Sequence, residues 1–97
     1  MTVELEQQTK VKLKAPQLYK VVLLNDDFTP MDFVVDILTH VFNKGEAEAT
    51  AIMLRVHEEG SCAVIVTTQS IAEQKVREVQ KLARGHGHPL RCKAEPA

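Results

Sequence analysis

Two carboxylates and an amide stand side by side at Asn25, Asp26 and Asp27, within the segment NDDFTPM. This segment follows a short apolar run and precedes a helix start, which places it in a loop of the kind that often carries binding groups. Adjacent carboxylates repel each other and are stabilised by a nearby cation. The ordinary interpretation is a turn followed by a helix cap, because Asn, Asp and Thr serve both without a ligand. The residues therefore indicate either a local turn or an acceptor site for a cationic group.

Apolar side chains accompany this loop on two predicted helices. Met31 and Val34 begin the first helix, and Met53 and Val56 share one face of the second because positions i and i+3 are neighbours. If these helices pack antiparallel, the start of the first lies near the end of the second. The helical periodicity alone indicates that these residues belong to the hydrophobic core. The neighbouring acidic loop favours a binding pocket instead, for a ligand with an ammonium group next to a hydrophobic side chain. The free N-terminus of a polypeptide with a bulky apolar first residue is such a ligand.

His57 follows Val56 and is expected at the rim of this pocket, near Asn25 and Asp26. A lone histidine on a helix face is more often structural than functional. A neutral imidazole can nevertheless accept a hydrogen bond from an amine. Asn25, Asp26 and His57 are therefore the candidate amine-binding residues.

Patterns for other chemistry are weak. His86, His88 and Cys92 are metal-ligand types, but a fourth ligand at supporting spacing is missing. Cys62 sits inside an apolar strand pattern, where a thiol is usually inert packing. An enzyme that paired His57 with this thiol or with the acidic loop is the least supported function class. We expect no catalytic residue, no metal and no cofactor, and a protein that is not an enzyme.

Size and charge exclude further classes. The 97 residues suffice for one domain, and the net charge of −1 attracts neither nucleic acid nor an anionic membrane. No apolar run approaches the roughly 18 residues that a membrane span needs, and the first twenty residues lack a signal-peptide core. Two cysteines without a metal or redox spacing are typical of free thiols in a reducing compartment. We expect a cytoplasmic monomer with no nucleic-acid or membrane partner.

The elements that would position the candidate residues follow from apolar periodicity and cap signals. Thr29 is predicted as the N-cap of the first helix, and Ser70 as the N-cap of the third in a capping box with Glu73. The fold class is α+β, a single domain of order β-α-α-β-α-β with a small antiparallel three-stranded sheet packed by three helices. Residues 1–15 are expected to form a flexible extension, and 16–97 the domain. The predicted elements are a strand at 19–24, a helix from 30 that ends at 43–45, a helix at 46–59, a strand at 62–67, a helix that Gly85 closes, and a strand at 90–93.

At these residues the chain resembles the ClpS adaptors of bacterial N-degron proteolysis. The likeness covers about 16–92 and rests on four blocks in the same order: YKVVLLNDDFTPMDFVVDIL, ATAIMLRVHEEG, AEQKV and HPLRC. The resemblance implies an adaptor that binds proteins bearing a free bulky hydrophobic N-terminal residue, chiefly Leu, Phe, Tyr or Trp. Such an adaptor hands its cargo to the N-terminal domain of a ClpA-type AAA+ unfoldase, which works with the ClpP protease.

The resemblance also implies roles for individual residues. Asn25, Asp26 and His57 correspond to the amine contacts, and Met31 to a gatekeeper that disfavours β-branched residues. Asp27 is assigned to shaping the loop and the cap. The implied side-chain pocket consists of Thr29, Met31, Val34, Met53, Val56 and Leu90.

Two departures accompany the match. Ser70 stands where the family has an acidic residue in a region that contacts the unfoldase, which leaves the strength of docking open, whereas Lys75 in that region matches. Phe28 replaces the commoner Tyr. These departures are compatible with a divergent or second-copy adaptor of narrower specificity. The extension over residues 1–15 would assist handover to the unfoldase.

The alternative function class is a structural interaction module of similar α+β shape, like the C-terminal domain of the ribosomal stalk. Such a module would dock an ATPase or a translation factor without reading N-termini, so its binding would not depend on a free amine. An enzyme would instead show turnover and lose activity when its thiols are alkylated.

Overall fold

Residues 15–97 are described by the structure, a computed structural model, and their elements follow the predicted order. The predicted α+β class is confirmed. The extension predicted over residues 1–15 lies, apart from Ala15, outside the described residues. The elements are β1 Tyr19–Leu24, α1 Met31–His40, α2 Glu46–Glu59, β2 Ser61–Thr67, α3 Gln69–Gly85 and β3 Arg91–Pro96.

The apolar run of β1 forms the central strand of an antiparallel sheet of order β2-β1-β3. Val21 and Leu23 are fully buried, as expected for a strand that pairs on both edges. The ladder with β3 is regular from end to end, and the ladder with β2 is irregular only between Val21 and Val22. The last residue of β1, Leu24, is therefore held from both sides, and the acidic loop begins from a fixed point.

Each helix buries one face against this sheet or a neighbouring helix. Apolar residues recur at spacings of three and four, so they fall on a single stripe of each helix. The buried helical residues are Val34, Ile37 and Leu38 on α1, Ala49, Met53 and Val56 on α2, and Ala72, Val79 and Ala83 on α3.

The prediction that Thr29 caps α1 is wrong. Helix α1 begins at Met31 with Pro30 as its N-cap, and no side chain makes a cap hydrogen bond there. The Thr29 hydroxyl donates instead to a carboxylate oxygen of Asp26 at 2.8 Å. The local sequence is the same for a threonine that caps a helix and for one that lies in a turn. Here the hydrogen bond to the nearby carboxylate of Asp26 holds Thr29 in the turn.

The predicted capping box of α3 is also wrong. Thr68 is the N-cap, and its hydroxyl accepts from the backbone N–H of Ile71. The Glu73 side chain accepts from Gln69 at 3.2 Å, within the first turn, rather than reaching back to Ser70. Helix α3 thus starts one residue before Ser70, which lies exposed in its first turn.

Other bounds shift by a few residues. Helix α1 ends at His40, earlier than the predicted end at 43–45, and Asn43 adopts a positive φ of 55° that asparagine tolerates. Strand β2 starts at Ser61, and β3 runs from Arg91 to Pro96 rather than over 90–93 because it pairs along the whole of β1.

Gly60 ends α2 in the left-handed conformation, with φ of 91°. Its N–H donates to the carbonyl oxygen of Val56 at 2.9 Å, and its own carbonyl accepts from the backbone N–H of Asn25 at 2.9 Å. One glycine therefore closes the second helix and ties it to the start of the acidic loop.

Replacing Gly60 with alanine is expected to lower the free energy of unfolding by about 1–2 kcal/mol, because a Cβ is strained at this positive φ. No atom lies within 4 Å of the added Cβ, so the backbone conformation alone carries the cost. Urea unfolding measures it. Gly85→Ala is the matched control: Gly85 is helical and equally open, so alanine there should raise the free energy of unfolding. Equal effects at the two positions would contradict the role of Gly60.

Candidate functional site

The loop after β1 and the facing ends of α1 and α2 enclose a cavity of about 180 Å³. An apolar cavity of about 150 Å³ can hold benzene, so this one has room for a single bulky apolar side chain. The cavity brings together every residue that the sequence pattern and the family resemblance assign to the amine site and the side-chain pocket, and Leu24 and Asp27 complete its wall. Its lining is Leu24, Asn25, Asp26, Asp27, Thr29, Met31, Val34, Met53, Val56, His57 and Leu90.

The apolar and polar parts of the lining are separated. Val34, Met53, Val56 and Leu90 are buried and belong to the hydrophobic core. Met31 is 44% exposed, which puts it at the lip. The polar groups lie nearer the solvent: Asn25 and Asp26 are half-buried and His57 is exposed. The cavity thus has an apolar floor and a polar mouth.

Asp26 organises the loop at this mouth. Its Oδ1 accepts the backbone N–H groups of Phe28 at 2.8 Å and Thr29 at 2.7 Å, and its Oδ2 accepts the Thr29 hydroxyl. Asp27, to which loop shaping was assigned, is exposed, and the side-chain hydrogen bonds within this loop are made by Asp26. A carboxylate has about four acceptor positions, so Asp26 fills three within its own loop and retains one for a further donor.

The charge of this carboxylate is maintained. Partial burial raises the pKa of Asp26, but the hydrogen bonds from Thr29 and Phe28 and the positive charge of Arg91 together lower it by more, so the pKa lies below its usual value of 3.8. An ionised acceptor therefore faces the cavity mouth at neutral pH, and charged acceptors form the stronger hydrogen bonds.

The stability that the Asp26 carboxylate contributes is expected to be complete above pH of about 4 and to disappear as the pH falls through its lowered pKa. In that range the unfolded chain binds a proton that the folded protein does not, so acid favours unfolding. Urea unfolding of the wild type and Asp26→Asn, at pH 7 and below pH 3.8, measures the effect. The difference between the two proteins should shrink in acid, and a constant difference would contradict it.

Leu24 and Arg91 were not found from the sequence. They are partners in the β1–β3 ladder. The positive charge of Arg91 helps to lower the pKa of Asp26. The signal that could have found them is the register of β3, which local residue patterns do not determine.

The other candidate groups lie away from the cavity. The His86 and His88 rings pack on Phe33, with centroid distances of 5.3 and 4.5 Å. In the described part of the chain, no three His, Cys, Asp or Glu side chains form a group that could hold a metal ion. Cys62 and Cys92 are free, as predicted, and both are buried; burial raises the pKa of the Cys92 thiol to about 12. Such a thiol is a poor nucleophile.

The two predicted docking residues both lie on α3. Ser70 is exposed, whereas Lys75 is half-buried. The Lys75 ammonium donates to the carbonyl oxygen of Val41 at 2.9 Å and lies 3.6 Å from Glu78. Lys75 therefore also closes the end of α1, so its removal affects stability as well as any docking.

No helix within residues 15–97 combines the length and apolar character needed to cross a membrane.

Known proteins match this chain over nearly its whole length. The family model for "ATP-dependent Clp protease adaptor protein ClpS" matches residues 14–93. An ATP-dependent Clp protease adapter protein ClpS from Paraburkholderia xenovorans is 56% identical over 93 residues, which cover 96% of this chain and 88% of that protein. One from Hydrogenovibrio crunogenus is 55% identical over 84 residues, covering 87% and 81%.

Among solved structures, that of Agrobacterium tumefaciens ClpS2 bound to L-phenylalaninamide superposes with a TM-score of 0.84 at 42% identity. The match covers 86% of this chain and all of that one. Both the sequence and the fold therefore place the chain in the ClpS family of adaptor proteins of the ATP-dependent Clp protease.

Proposed function

We propose that this protein binds other proteins through a free, bulky hydrophobic N-terminal residue (Leu, Phe, Tyr or Trp) and delivers them to a ClpA-type AAA+ unfoldase for degradation by ClpP. The observation that carries the proposal is the cavity in which the Asp26 carboxylate stands at the mouth of an apolar hole. The ligand of the Agrobacterium relative, phenylalaninamide, has the matching chemistry, a free α-amine next to a phenyl side chain.

The amine and the side chain are bound by different parts of the site. Asp26, Asn25 and His57 hold the ammonium group, and each charge-assisted hydrogen bond contributes about 1.5–3 kcal/mol. The buried floor takes the side chain, which adds roughly 1.5–3 kcal/mol. The loss of translational and rotational freedom opposes both contributions. The balance corresponds to a Kd of about micromolar.

Met31 sets the shape of the entrance. Its side chain stands at the lip, where it meets the Cβ substituents of an entering residue. Residues branched at Cβ are therefore disfavoured, although they are apolar enough for the floor. This division gives the proposed preference for Leu and aromatic residues over Val and Ile.

Fluorescence anisotropy with labelled peptides that differ only in the first residue tests the proposal. Peptides beginning with Leu and Phe should bind with a Kd of about micromolar, and a Val peptide about tenfold more weakly or worse. Equal binding of the Leu and Val peptides would contradict the shape of the entrance. Absence of binding by the Leu peptide would contradict the function itself.

The protein acts by tethering, since no covalent bond is made or broken in this scheme. Holding cargo beside an unfoldase raises its effective concentration there. In this proposal residues 16–97 are the adaptor domain, residues 1–15 assist handover, and the protein works as a cytoplasmic monomer without a cofactor.

Docking to the N-terminal domain of the unfoldase is assigned to the surface around Ser70 and Lys75. Ser70→Glu is expected to tighten this docking about twofold to fivefold, the size of an exposed ion pair, with no change in Leu-peptide binding. Biolayer interferometry against the isolated N-terminal domain measures it. Thr50→Glu adds the same charge at an exposed position of α2 and serves as control. A similar gain from both variants would show that net charge alone is responsible.

A further inference from the structure

We propose that His88 is a positioning residue that fixes the width of the side-chain pocket by packing on Phe33. This inference rests on the function proposed above. The two rings meet edge to face, with a centroid distance of 4.5 Å and an interplanar angle of 62°. This is a favourable arrangement for aromatic groups, since the edge of one ring carries positive charge and the face of the other negative charge.

The contact joins the two walls of the pocket. Phe33 immediately precedes Val34 on α1, and His88 lies two residues before Leu90 in the connection from α3 to β3. Val34 and Leu90 both line the cavity and are both buried. A change in the distance between the Phe33 and His88 rings therefore moves α1 relative to the segment that carries Leu90.

The α3–β3 connection is anchored at both ends by backbone contacts. At one end Gly87 has a φ of 74°, and the His88 N–H donates to the carbonyl oxygen of Ala83 at 2.8 Å, which closes α3. At the other end Arg91 enters the ladder beside Leu24. Between these anchors lies Pro89, which is exposed. The His88 ring is thus a side-chain contact that holds the middle of the connection against α1.

His86 supports the same contact from the helix side. The centroid of its ring lies 5.3 Å from that of Phe33. The His86 and His88 rings are nearly parallel, with their centroids 6.4 Å apart. The Nδ1 of His86 lies 3.0 Å from the carbonyl oxygen of Leu82 and so belongs to the end of α3. The His86 ring therefore orients the cluster, while His88 connects it to Leu90.

The consequence is a control of selectivity. The floor of the pocket must accept Leu and rings of different width, and the separation of Val34 from Leu90 decides which of these fills it best. Because the floor residues are themselves part of the core, a loss of the ring contact loosens the pocket without exposing it. The selectivity among Leu, Phe and Trp is then expected to weaken.

The test compares His88→Ala, His88→Phe and His40→Ala by two measurements. His40 is the control because it is a histidine on the far end of α1, where its Nδ1 lies 2.9 Å from the carbonyl oxygen of Asp36 and its ring is not part of the cluster on Phe33. Methyl NMR of the ligand-free proteins follows the Val34 and Leu90 resonances and the NOE between them. Anisotropy then gives the Kd ratio for Leu-, Phe- and Trp-starting peptides, at a temperature where urea unfolding shows each protein to be folded.

His88→Ala is expected to shift the Val34 and Leu90 methyl resonances and to change the Kd ratio about threefold to tenfold, the size of one aromatic pair. His88→Phe should restore both, and His40→Ala should change neither. If His88→Ala lowers only the Tm and leaves the methyl signals and the Kd ratio unchanged, the inference is overturned. If the wild type binds no peptide, the proposed function fails, and the ligand-free NMR measurement still decides whether His88 positions Leu90.

Discussion

Acetylating the N-terminus of a Leu-starting peptide is expected to weaken its binding by at least about a hundredfold. The acetyl group removes the positive charge and two of the donors that the cavity mouth would use. Two charge-assisted hydrogen bonds are together worth about 3–6 kcal/mol, or a factor of about a hundred to ten thousand. The remaining acceptor position of Asp26 would be left without a partner while still partly shielded from water. Fluorescence anisotropy with the two peptides measures the ratio.

The control peptide carries its acetyl group on a lysine several residues downstream. It has the same mass and net charge as the N-terminally acetylated peptide but keeps its free α-amine. It should bind like the unmodified peptide. Equal weakening by both modifications would show that overall charge drives binding, and equal binding of all three would favour a structural interaction module that does not read N-termini.

The partner experiment on the protein is better done with Asp26→Asn than with alanine. Asp26 also accepts two backbone N–H groups of its own loop, so alanine would remove the amine site and the loop geometry together. The asparagine side-chain oxygen can replace Oδ1, and the Thr29 hydroxyl can turn to accept from the new amide. The variant is expected to reduce the affinity difference between free and acetylated peptides by about tenfold to a hundredfold, because it lacks the charged acceptor while Asn25 and His57 remain.

The parts of the fold that sequence predicts well are those with strong local boundaries. The bounds of β1 and α2 were predicted in full, because an apolar run stops at Asn25 and a helical stripe stops at Gly60. The N-caps of α1 and α3 were not predicted correctly, because Thr29 and Ser70 are equally suited to a cap and to a turn. In both cases a neighbouring residue explains the outcome. The Thr29 hydroxyl donates to the carboxylate of Asp26 instead of capping α1, and Thr68, not Ser70, caps α3.

The same division holds for the site. Met53 and Val56 could be placed on one helix face from their spacing, and the packing of the start of α1 beside the end of α2 brought Val34 to them. Leu90 lies far along the chain, so its place in the pocket was implied only by the family resemblance. The contribution of Arg91 depends on the register of two strands, which no local pattern specifies.

Filling the cavity from within is expected to change binding and stability in opposite directions. Val34→Phe puts a ring into the 180 Å³ space that the entering side chain would otherwise occupy. The peptide then loses the burial of its first side chain, worth roughly 1.5–3 kcal/mol, so its Kd should rise about tenfold to a hundredfold. The free protein gains buried apolar surface in existing space, so its free energy of unfolding should rise by about 1 kcal/mol rather than fall.

Val66→Phe is the matched control for this change. It makes the same substitution at a position of β2 that is 58% exposed and does not line the cavity, so both the Kd and the free energy of unfolding should stay close to wild type. Anisotropy and urea unfolding on the same samples give both quantities. The opposite signs are decisive because a variant that only damages the fold loses binding and stability together. Loss of both in Val34→Phe would mean that the cavity has no room for a ring, and the floor could not then receive the side chain of a cargo protein.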